Sequence, residues 1–185
     1  MKPIFLTLFF IITFFYSLSA QYYCTYAGGS CASNLTKATA FANRTVASIC
    51  DVLGIRHIPV YQSSAGNACA FDLDGRSYIS YNPRFMEYLA NHNEWAPIAT
   101  MAHEVGHHYN QDASSLLRRM EHSWTRELQA DFISGYVMYK LGASLSDSQS
   151  AFYVLFAWFG SESHPDSPRR INAITQGYRT AALGY

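Results

Sequence analysis

Apolar residues recur every three or four positions over several stretches of the chain, which is typical of helices with one buried face. The first stretch runs from Asn34 to Leu53 and stops before Gly54, a residue type common just past a helix end. Another runs from about Trp95–Pro97 to Asn110, with proline near the helix start, where its missing N–H is not needed. The spacing therefore predicts that both segments are helices.

The pattern predicts three more helices towards the C-terminus. One covers Ser123 to Leu141. The next opens with Ser146 and Gln149 in the spacing of a capping box and continues through an aromatic run, which we interpret as core. The last begins at Pro168, because Asp166 precedes it as a helix cap and proline is favoured at the first helical position.

Short runs rich in β-branched and aromatic residues predict strands. Three such runs are Ile55–Tyr61, Ala68–Leu73 and Ser77–Tyr81. Asp74-Gly75 joins the last two, and this dipeptide is a strong signal for a tight hairpin. A short helical piece, Phe85–Ala90, follows them. The sequence thus predicts an α+β fold that is mainly helical, with a small antiparallel sheet.

Composition bounds the size of the fold and the kinds of partner. The chain has 185 residues, of which 49% are hydrophobic and 14% charged, which suits a single domain over residues 21–185 with a sizeable core. Thirteen basic residues balance thirteen acidic ones, and the sequence has no Lys/Arg block that would neutralise phosphates. We therefore expect neither nucleic acid nor an anionic membrane surface as a partner. No motif indicates an oligomeric state.

The N-terminal residues follow the pattern of a secretion signal. Lys2 supplies a positive charge, and the apolar run Ile4–Tyr16 is too short to span a bilayer comfortably. Small residues up to Ala20 then predict cleavage after that position. We expect residues 1–20 to be a removed signal peptide and the mature protein to be secreted or periplasmic, without stable membrane insertion. The alternative is an uncleaved anchor.

The four cysteines are even in number and lie in the first third of the exported part, which suits two disulfides in an oxidising compartment. Three pairings are possible. Cys24 with Cys31, and Cys50 with Cys69, closes the shortest loops and is our choice, although the sequence leaves the pairing open. A zinc site built from these cysteines is disfavoured, because the sequence has no C-x-x-C spacing.

His103-Glu104-Val105-Gly106-His107 is an H-E-x-x-H motif on a predicted helix. Positions four apart lie about 40° apart around the helix axis, so both imidazoles project from one face and can bind one metal ion. The Glu104 carboxylate is one position on, where it can reach a water at the open coordination site without binding the metal. His108 and His122 are interpreted as satisfied surface histidines.

A protein zinc site needs a third ligand, and the next predicted helix offers one. Glu127 follows His107 by twenty residues, and Asp131 lies one helical turn further on the same face. We assign Glu127 as the third ligand. Asp131 is predicted to accept a hydrogen bond from the distal N–H of a ligand histidine, His103, which would fix its tautomer and orientation.

The order of three motifs resembles that of the gluzincin metallopeptidases, within them the family of HtpX and the CAAX prenyl endopeptidases. That family has H-E-x-x-H, then E-x-x-A-D, then a downstream H-P element that ends in R-I. Here these are His103–His107, Glu127–Asp131 and His164–Ile171, and Asn67–Ala70 looks like the family's N-A-x-A strand. The chain departs from the family in having Pro168-Arg169 where acidic residues are usual, and in lacking the transmembrane helices of many members.

The resemblance implies a zincin-like fold and roles for two more residues. His164 would face the metal from the opposite side and help to stabilise the oxyanion. Arg170 would either assist it or brace the last helix. A developing alkoxide needs positive charge or a donor beside it, which suits both residues. We also expect the strand Ala68–Leu73 to bind an extended substrate by edge pairing.

These observations predict an exported zinc endopeptidase. Zn²⁺ would be held by His103, His107 and Glu127. Glu104 would act as the base that accepts a proton from the attacking water and returns it to the leaving amine. The partner would be a peptide or protein substrate of unspecified sequence. Two alternatives stay open: a zinc-stabilised binding or chaperone-like module with little proteolysis, and a disulfide-stabilised interaction protein in which the motif is accidental.

Overall fold

The computed structural model describes residues 21–23, 31–112, 120–155 and 164–185, which form an α+β fold. The strands are β1 (Gln21–Tyr23), β2 (Thr36–Lys37), β3 (Val60–Gln62), β4 (Ala68–Leu73) and β5 (Arg76–Tyr81). The helices are α1 (Ala40–Leu53), α2 (Pro83–His92), α3 (Ala96–Tyr109), α4 (Ser123–Lys140), α5 (Leu145–Leu155) and α6 (Ser167–Ala182). The predicted signal peptide, residues 1–20, lies outside the described residues.

The sheet has the order β1-β4-β5-β3-β2. The predicted hairpin is confirmed: β4 and β5 are antiparallel, with Leu73 opposite Arg76 on either side of Asp74-Gly75. The prediction of a purely antiparallel sheet is wrong, because β3 runs parallel to β5. The chain reverses direction between β3 and β4 and again between β4 and β5, so β3 and β5 run the same way. The sheet is therefore mixed.

Helix α1 starts later than its hydrophobic pattern predicts. Thr39 has extended backbone, and its hydroxyl accepts a hydrogen bond from the Ala42 N–H at 3.2 Å, which caps the helix there. The preceding residues include β2, which pairs with β3, and Leu35 is 36% exposed. The apolar spacing from Asn34 thus continues across a strand and a cap, and only the part after Thr39 is helical.

Two of the C-terminal predictions change in detail. The capping pair of α5 is Ser144 and Asp147: each backbone N–H donates to the side chain of the other at 3.0 Å, two residues before the predicted pair of Ser146 and Gln149. The aromatic run continues to Phe159, beyond the described part of this helix. The predicted bounds of α3 and α4 and the start of α6 are confirmed within one residue.

The core lies around α3, which packs against α1, α2, α4, α5 and the sheet. Every residue of α3 from Ala99 to His107 is buried. A helix enclosed on all sides carries few polar residues unless they are paired or functional. The two motif histidines, His103 and His107, and Glu104 between them are therefore embedded at the centre of the fold.

Helices α4 and α6 approach each other unusually closely at two glycines. A Cβ atom at Gly135 would overlap the Ile174 carbonyl, and one at Gly177 would overlap the Phe132 carbonyl. Any side chain larger than hydrogen would push the two helices apart. This contact brings the middle of α6 against the middle of α4.

One disulfide, Cys31–Cys69, is formed among the described cysteines, with Cα atoms 5.7 Å apart. The pairing predicted from loop length is therefore wrong. Cys31 is held beside the sheet because the Ser80 hydroxyl donates to its carbonyl oxygen at 2.6 Å, whereas Cys50 faces the core from α1 as a buried free thiol. Cys24 lies outside the described residues.

None of the helices in the described part of the chain combines the length and the apolar character that crossing a bilayer requires.

Candidate metal centre

Helix α3 presents both motif histidines on one face. His103 is 5% and His107 3% exposed, and their Nε2 atoms lie 3.1 Å apart. The shared face follows from the four-residue spacing on a helix. The Nε2 atoms of the two rings thus point towards each other on one face of α3, as the sequence predicts.

The other nitrogen of each ring is bound to a buried carboxylate. His103 Nδ1 lies 2.8 Å from Asp131 Oδ1, and His107 Nδ1 lies 2.8 Å from Asp112 Oδ2. A carboxylate only accepts hydrogen bonds, so each Nδ1 carries the proton and each Nε2 presents a lone pair. The predicted contact between His103 and Asp131 is present in the structure.

Glu127 enters the same space from α4. Its Oε2 lies 3.3 Å from His103 Nε2, and its Oε1 lies 3.5 Å from His107 Nε2. Burial alone would raise the pKa of Glu127, but the imidazoles of His103 and His107, when they are protonated in the absence of a metal, and the Arg170 guanidinium outweigh burial and hold that pKa far below its ordinary value. Glu127 is therefore an ionised carboxylate at neutral pH, as a metal ligand must be.

The close approach of α4 to α3 depends on the glycine inside the motif. A Cβ atom at Gly106 would lie 3.1 Å from the backbone of Ala130, closer than side chains normally pack. Ser134 also joins the helices, since its hydroxyl donates to the Ala99 carbonyl at 2.9 Å. The short distance between α3 and α4 therefore places Glu127 of α4 next to His103 and His107 of α3.

The donor set fits a small tetrahedral cation. Ligand atoms of His103, His107 and Glu127 lie within 4.8 Å of one another. Two ligands at zinc–nitrogen or zinc–oxygen distances lie about 3.3 Å apart around a tetrahedral ion, close to the separations of 3.1, 3.3 and 3.5 Å here. Two imidazole lone pairs that face each other at this distance repel, and a shared cation removes the repulsion. Imidazole and carboxylate donors together suit zinc.

Arg170 joins the site from the first turn of α6. Its Nε donates to Asp131 Oδ2 at 2.6 Å and its Nη2 to Asp131 Oδ1 at 2.8 Å, a bidentate pair that is almost fully buried. Nη2 also lies 3.5 Å from Glu127 Oε2. Arg170 thus braces α6 against α4 and places positive charge beside the ligand carboxylate.

Glu104 is held at the sheet edge of the site. The Ala70 N–H of β4 donates to Glu104 Oε2 at 2.7 Å, and Glu104 is 3% exposed. The bond ties the carboxylate to the backbone of β4. That Glu104 acts as a base and not as a ligand stays a prediction.

His164 reaches the cluster from the segment before α6. Its Nε2 lies 3.5 Å from Glu127 Oε2, and the residue is 5% exposed. The structure therefore gathers every residue that the sequence assigned to the site: His103, Glu104, His107, Glu127, Asp131, His164 and Arg170.

Two neighbours of the site were not recognised from the sequence. Asp112 is fully buried against His107, and the only sequence signal is an acidic residue shortly after the motif, in a turn where Gln111 has a φ of 60°. His108 is not a surface histidine: its side chain is 5% exposed, and its Nε2 lies 2.9 Å from the Tyr78 carbonyl of β5. His122 is exposed, and its ring accepts from the Trp124 N–H.

No protein-family model, no curated protein and no solved structure matches this chain.

Proposed function

We propose that the protein is a zinc-dependent endopeptidase. One observation carries the proposal: donor atoms of His103, His107 and Glu127 lie within 4.8 Å of one another in a buried cluster, and the next residue on α3 after His103, Glu104, is also buried. Three protein ligands with one open position are typical of catalytic rather than structural zinc sites. The resemblance of the motifs to the gluzincin peptidases supports the same reaction class.

His103, His107 and Glu127 would hold the zinc ion. When bound, zinc supplies a Lewis acid that polarises a carbonyl and makes water acidic enough to react near neutral pH. The two buried aspartates keep both imidazoles in the tautomer that offers Nε2.

Glu104 would move the proton. Its Oε2 accepts from the Ala70 N–H, which fixes the carboxylate, and this carboxylate would take a proton from the attacking water. It would then return that proton to the amine of the departing peptide fragment.

His164 and Arg170 would stabilise negative charge that develops on the carbonyl oxygen. His164 Nε2 and Arg170 Nη2 each lie 3.5 Å from Glu127 Oε2. Donors that are fixed before reaction stabilise a developing oxyanion without reorganisation. Because Arg170 is bidentate with Asp131, we assign the direct donor role to His164 and a positioning role to Arg170.

The substrate would be an extended peptide, and the protein would act outside the cytoplasm. A strand backbone beside the base suits an extended chain, because a peptide can add to a strand by main-chain hydrogen bonds. The Cys31–Cys69 disulfide is compatible with an oxidising compartment, in line with the predicted signal peptide.

The substitution Glu104→Gln tests the proposal. It removes the base and keeps every ligand, so we expect about one zinc per chain to remain and cleavage of a mixed peptide library to fall by about 10²–10⁴-fold, the usual contribution of a general base. Glu87→Gln, at an exposed position of α2, is the matched control and should cleave like the parent.

Three outcomes are informative. Equal cleavage by Glu104→Gln and the parent would remove Glu104 as the base. Stoichiometric zinc without chelator-sensitive cleavage by the parent would favour the zinc-stabilised binding module. Substoichiometric zinc in the purified parent would leave the motif without a metal function.

A further inference from the structure

The backbone of β4 has an outward-facing polar edge at the site. Opposed residues of an antiparallel ladder alternate between pairs that exchange both backbone hydrogen bonds and pairs that exchange none. Ala70 and Ile79 form a pair of the second kind, because the Ile79 N–H donates to the Pro59 carbonyl at 3.0 Å, away from β4. The N–H and C=O of Ala70 therefore point to the outer side of β4.

This outer side is where Glu104 lies. The outward N–H of Ala70 is the donor to Glu104 Oε2 at 2.7 Å. A peptide extended along the outer edge of β4 would therefore pass its own backbone next to the carboxylate that the proposed mechanism uses as base. We call the position along the outer edge of β4, next to Glu104, the substrate line, because an extended substrate would bind there.

The N-terminal strand β1 lies on that line. It pairs antiparallel with β4, with Gln21 opposite Asp72 and Tyr23 opposite Ala70. By the alternation of the ladder, the backbone groups of Gln21 and Tyr23 face β4, and those of Tyr22 face away. The chain thus places its own extended backbone at the residue that holds Glu104.

We propose that Gln21–Tyr23 is an intramolecular competitor of the substrate. β1 occupies the strand position that an extended peptide must take beside Glu104, and the peptide binds only after β1 leaves. The inference rests on the proposed function, since it takes the outer edge of β4 as the substrate line.

The attachment of β1 makes such an exchange effective. The disulfide fixes Cys31 to Cys69, directly before Ala70 on β4, and Tyr23 precedes Cys31 by only eight positions. A short tether keeps a segment at high effective concentration near its site. The described part of β1 pairs with β4 through three opposed residue pairs. A strand that is tethered so close can exchange repeatedly with a substrate.

The substitution Tyr23→Pro tests the proposal in the full chain. Proline removes the N–H that faces β4, so β1 should detach. Tyr22→Pro is the matched control, because its lost N–H faces away from β4. The probe is a fluorescein-labelled hexapeptide, Gln-Tyr-Tyr-Ser-Thr-Tyr, which copies residues 21–26 with serine in place of Cys24. Its binding is measured by fluorescence polarisation on ice, where turnover is slow.

We expect Tyr23→Pro to bind the probe about 10-fold more tightly than the parent, the gain when a competent state of about 10% becomes dominant. Tyr22→Pro should bind like the parent. In hydrolysis of an unrelated peptide, Tyr23→Pro should lower KM by a similar factor and leave kcat unchanged, because a competitor alters only substrate binding. A chain lacking residues 21–23 is the second variant and should behave like Tyr23→Pro.

The outcomes separate this inference from the proposed function. If Tyr23→Pro and the chain lacking residues 21–23 both bind the probe more tightly than the parent and no protein cleaves peptide, the competitor role of β1 is supported and the endopeptidase function is overturned. Cleavage by all proteins, with equal probe affinity and equal KM, overturns the competitor and supports the endopeptidase. Equal affinity without cleavage overturns both.

Discussion

The two motif histidines are supported in different ways. His103 is bound by Asp131 on another helix, and Asp131 is bound in turn by Arg170 from a third helix. His107 is bound by Asp112, five residues later, in the turn that follows α3. The part of the site around His103 is therefore assembled by the packing of three helices, and we call it the remote side. The part around His107 depends on a single turn, and we call it the local side.

The difference separates stability from metal binding. The remote side buries three charged groups, Asp131, Arg170 and Glu127, which are paired only while α3, α4 and α6 stay in place. Breaking a buried pair leaves a charge that has lost its solvation, which costs much more than the loss of a surface pair. We expect changes on the remote side to impair folding, and changes on the local side to impair metal affinity alone.

The largest effect is expected for Arg170→Met. The substitution leaves the Asp131 and Glu127 carboxylates buried without their guanidinium partner, so the free energy of unfolding should fall by about 3–5 kcal/mol. Urea unfolding of the zinc-free proteins measures it. Arg169→Met, whose side chain is 56% exposed in the parent, is the matched control and should cost less than about 1 kcal/mol. Similar losses in the two variants would show that Arg170 is not a structural brace.

The same pair predicts a pH dependence. Burial raises the pKa of Asp131, but Arg170 and the hydrogen bonds outweigh it, so the pKa lies below its ordinary value of 3.8. A carboxyl with a lowered folded-state pKa contributes stability above the unfolded pKa and loses it as the pH falls through the folded pKa. The difference in unfolding free energy between the parent and Arg170→Met should therefore stay constant near neutral pH and shrink below pH 3.8.

The next effect is expected for Gly177→Ala. The added methyl group overlaps the Phe132 carbonyl, so α6 must move away from α4, at a cost of about 1–3 kcal/mol. Arg170 moves with α6, and zinc affinity should fall as well. Gln176→Ala, exposed on the same helix, controls for the change in helix propensity. Melting temperatures and zinc titrations report both effects, and an unchanged melting temperature would contradict the close helix contact.

The last prediction compares the two aspartates directly, through zinc affinity and stability. Asp131→Asn and Asp112→Asn should each weaken zinc binding by about 10–100-fold, as loss of a ligand's supporting carboxylate usually does. Zinc affinity is measured by competition with a chelator. Asp131→Asn should in addition destabilise the zinc-free protein, because Asp131 is the bidentate partner of the buried Arg170, and we expect this loss to exceed that of Asp112→Asn. Equal stability losses would end the distinction between the remote and the local side.

The sequence predicts the remote side better than the local one. Helical spacing places His103 and His107 on one face, and the same rule places Glu127 and Asp131 one turn apart. Asp112 follows no such rule, because its position depends on a turn in which Gln111 takes a left-handed conformation. Hydrophobic periodicity predicts only helices and strands, and Asp112, which supports His107, lies in the turn just after α3.

The errors in the fold have related causes. Apolar spacing does not detect the cap at Thr39 or the capping pair at Ser144, because both depend on side-chain hydrogen bonds to backbone N–H groups. The disulfide depends on which segments meet in three dimensions. Cys31 lies beside Cys69 because of strand packing, and loop length carries no information about that contact.

Gly106 links the motif to the spacing of two helices. A methyl group at this position would force α4 outwards by a fraction of an ångström and carry the Glu127 carboxylate with it. The separation between that carboxylate and the two imidazoles therefore depends on a residue that has no side chain. A nominally variable letter of H-E-x-x-H is, in this protein, constrained by the packing of a neighbouring helix.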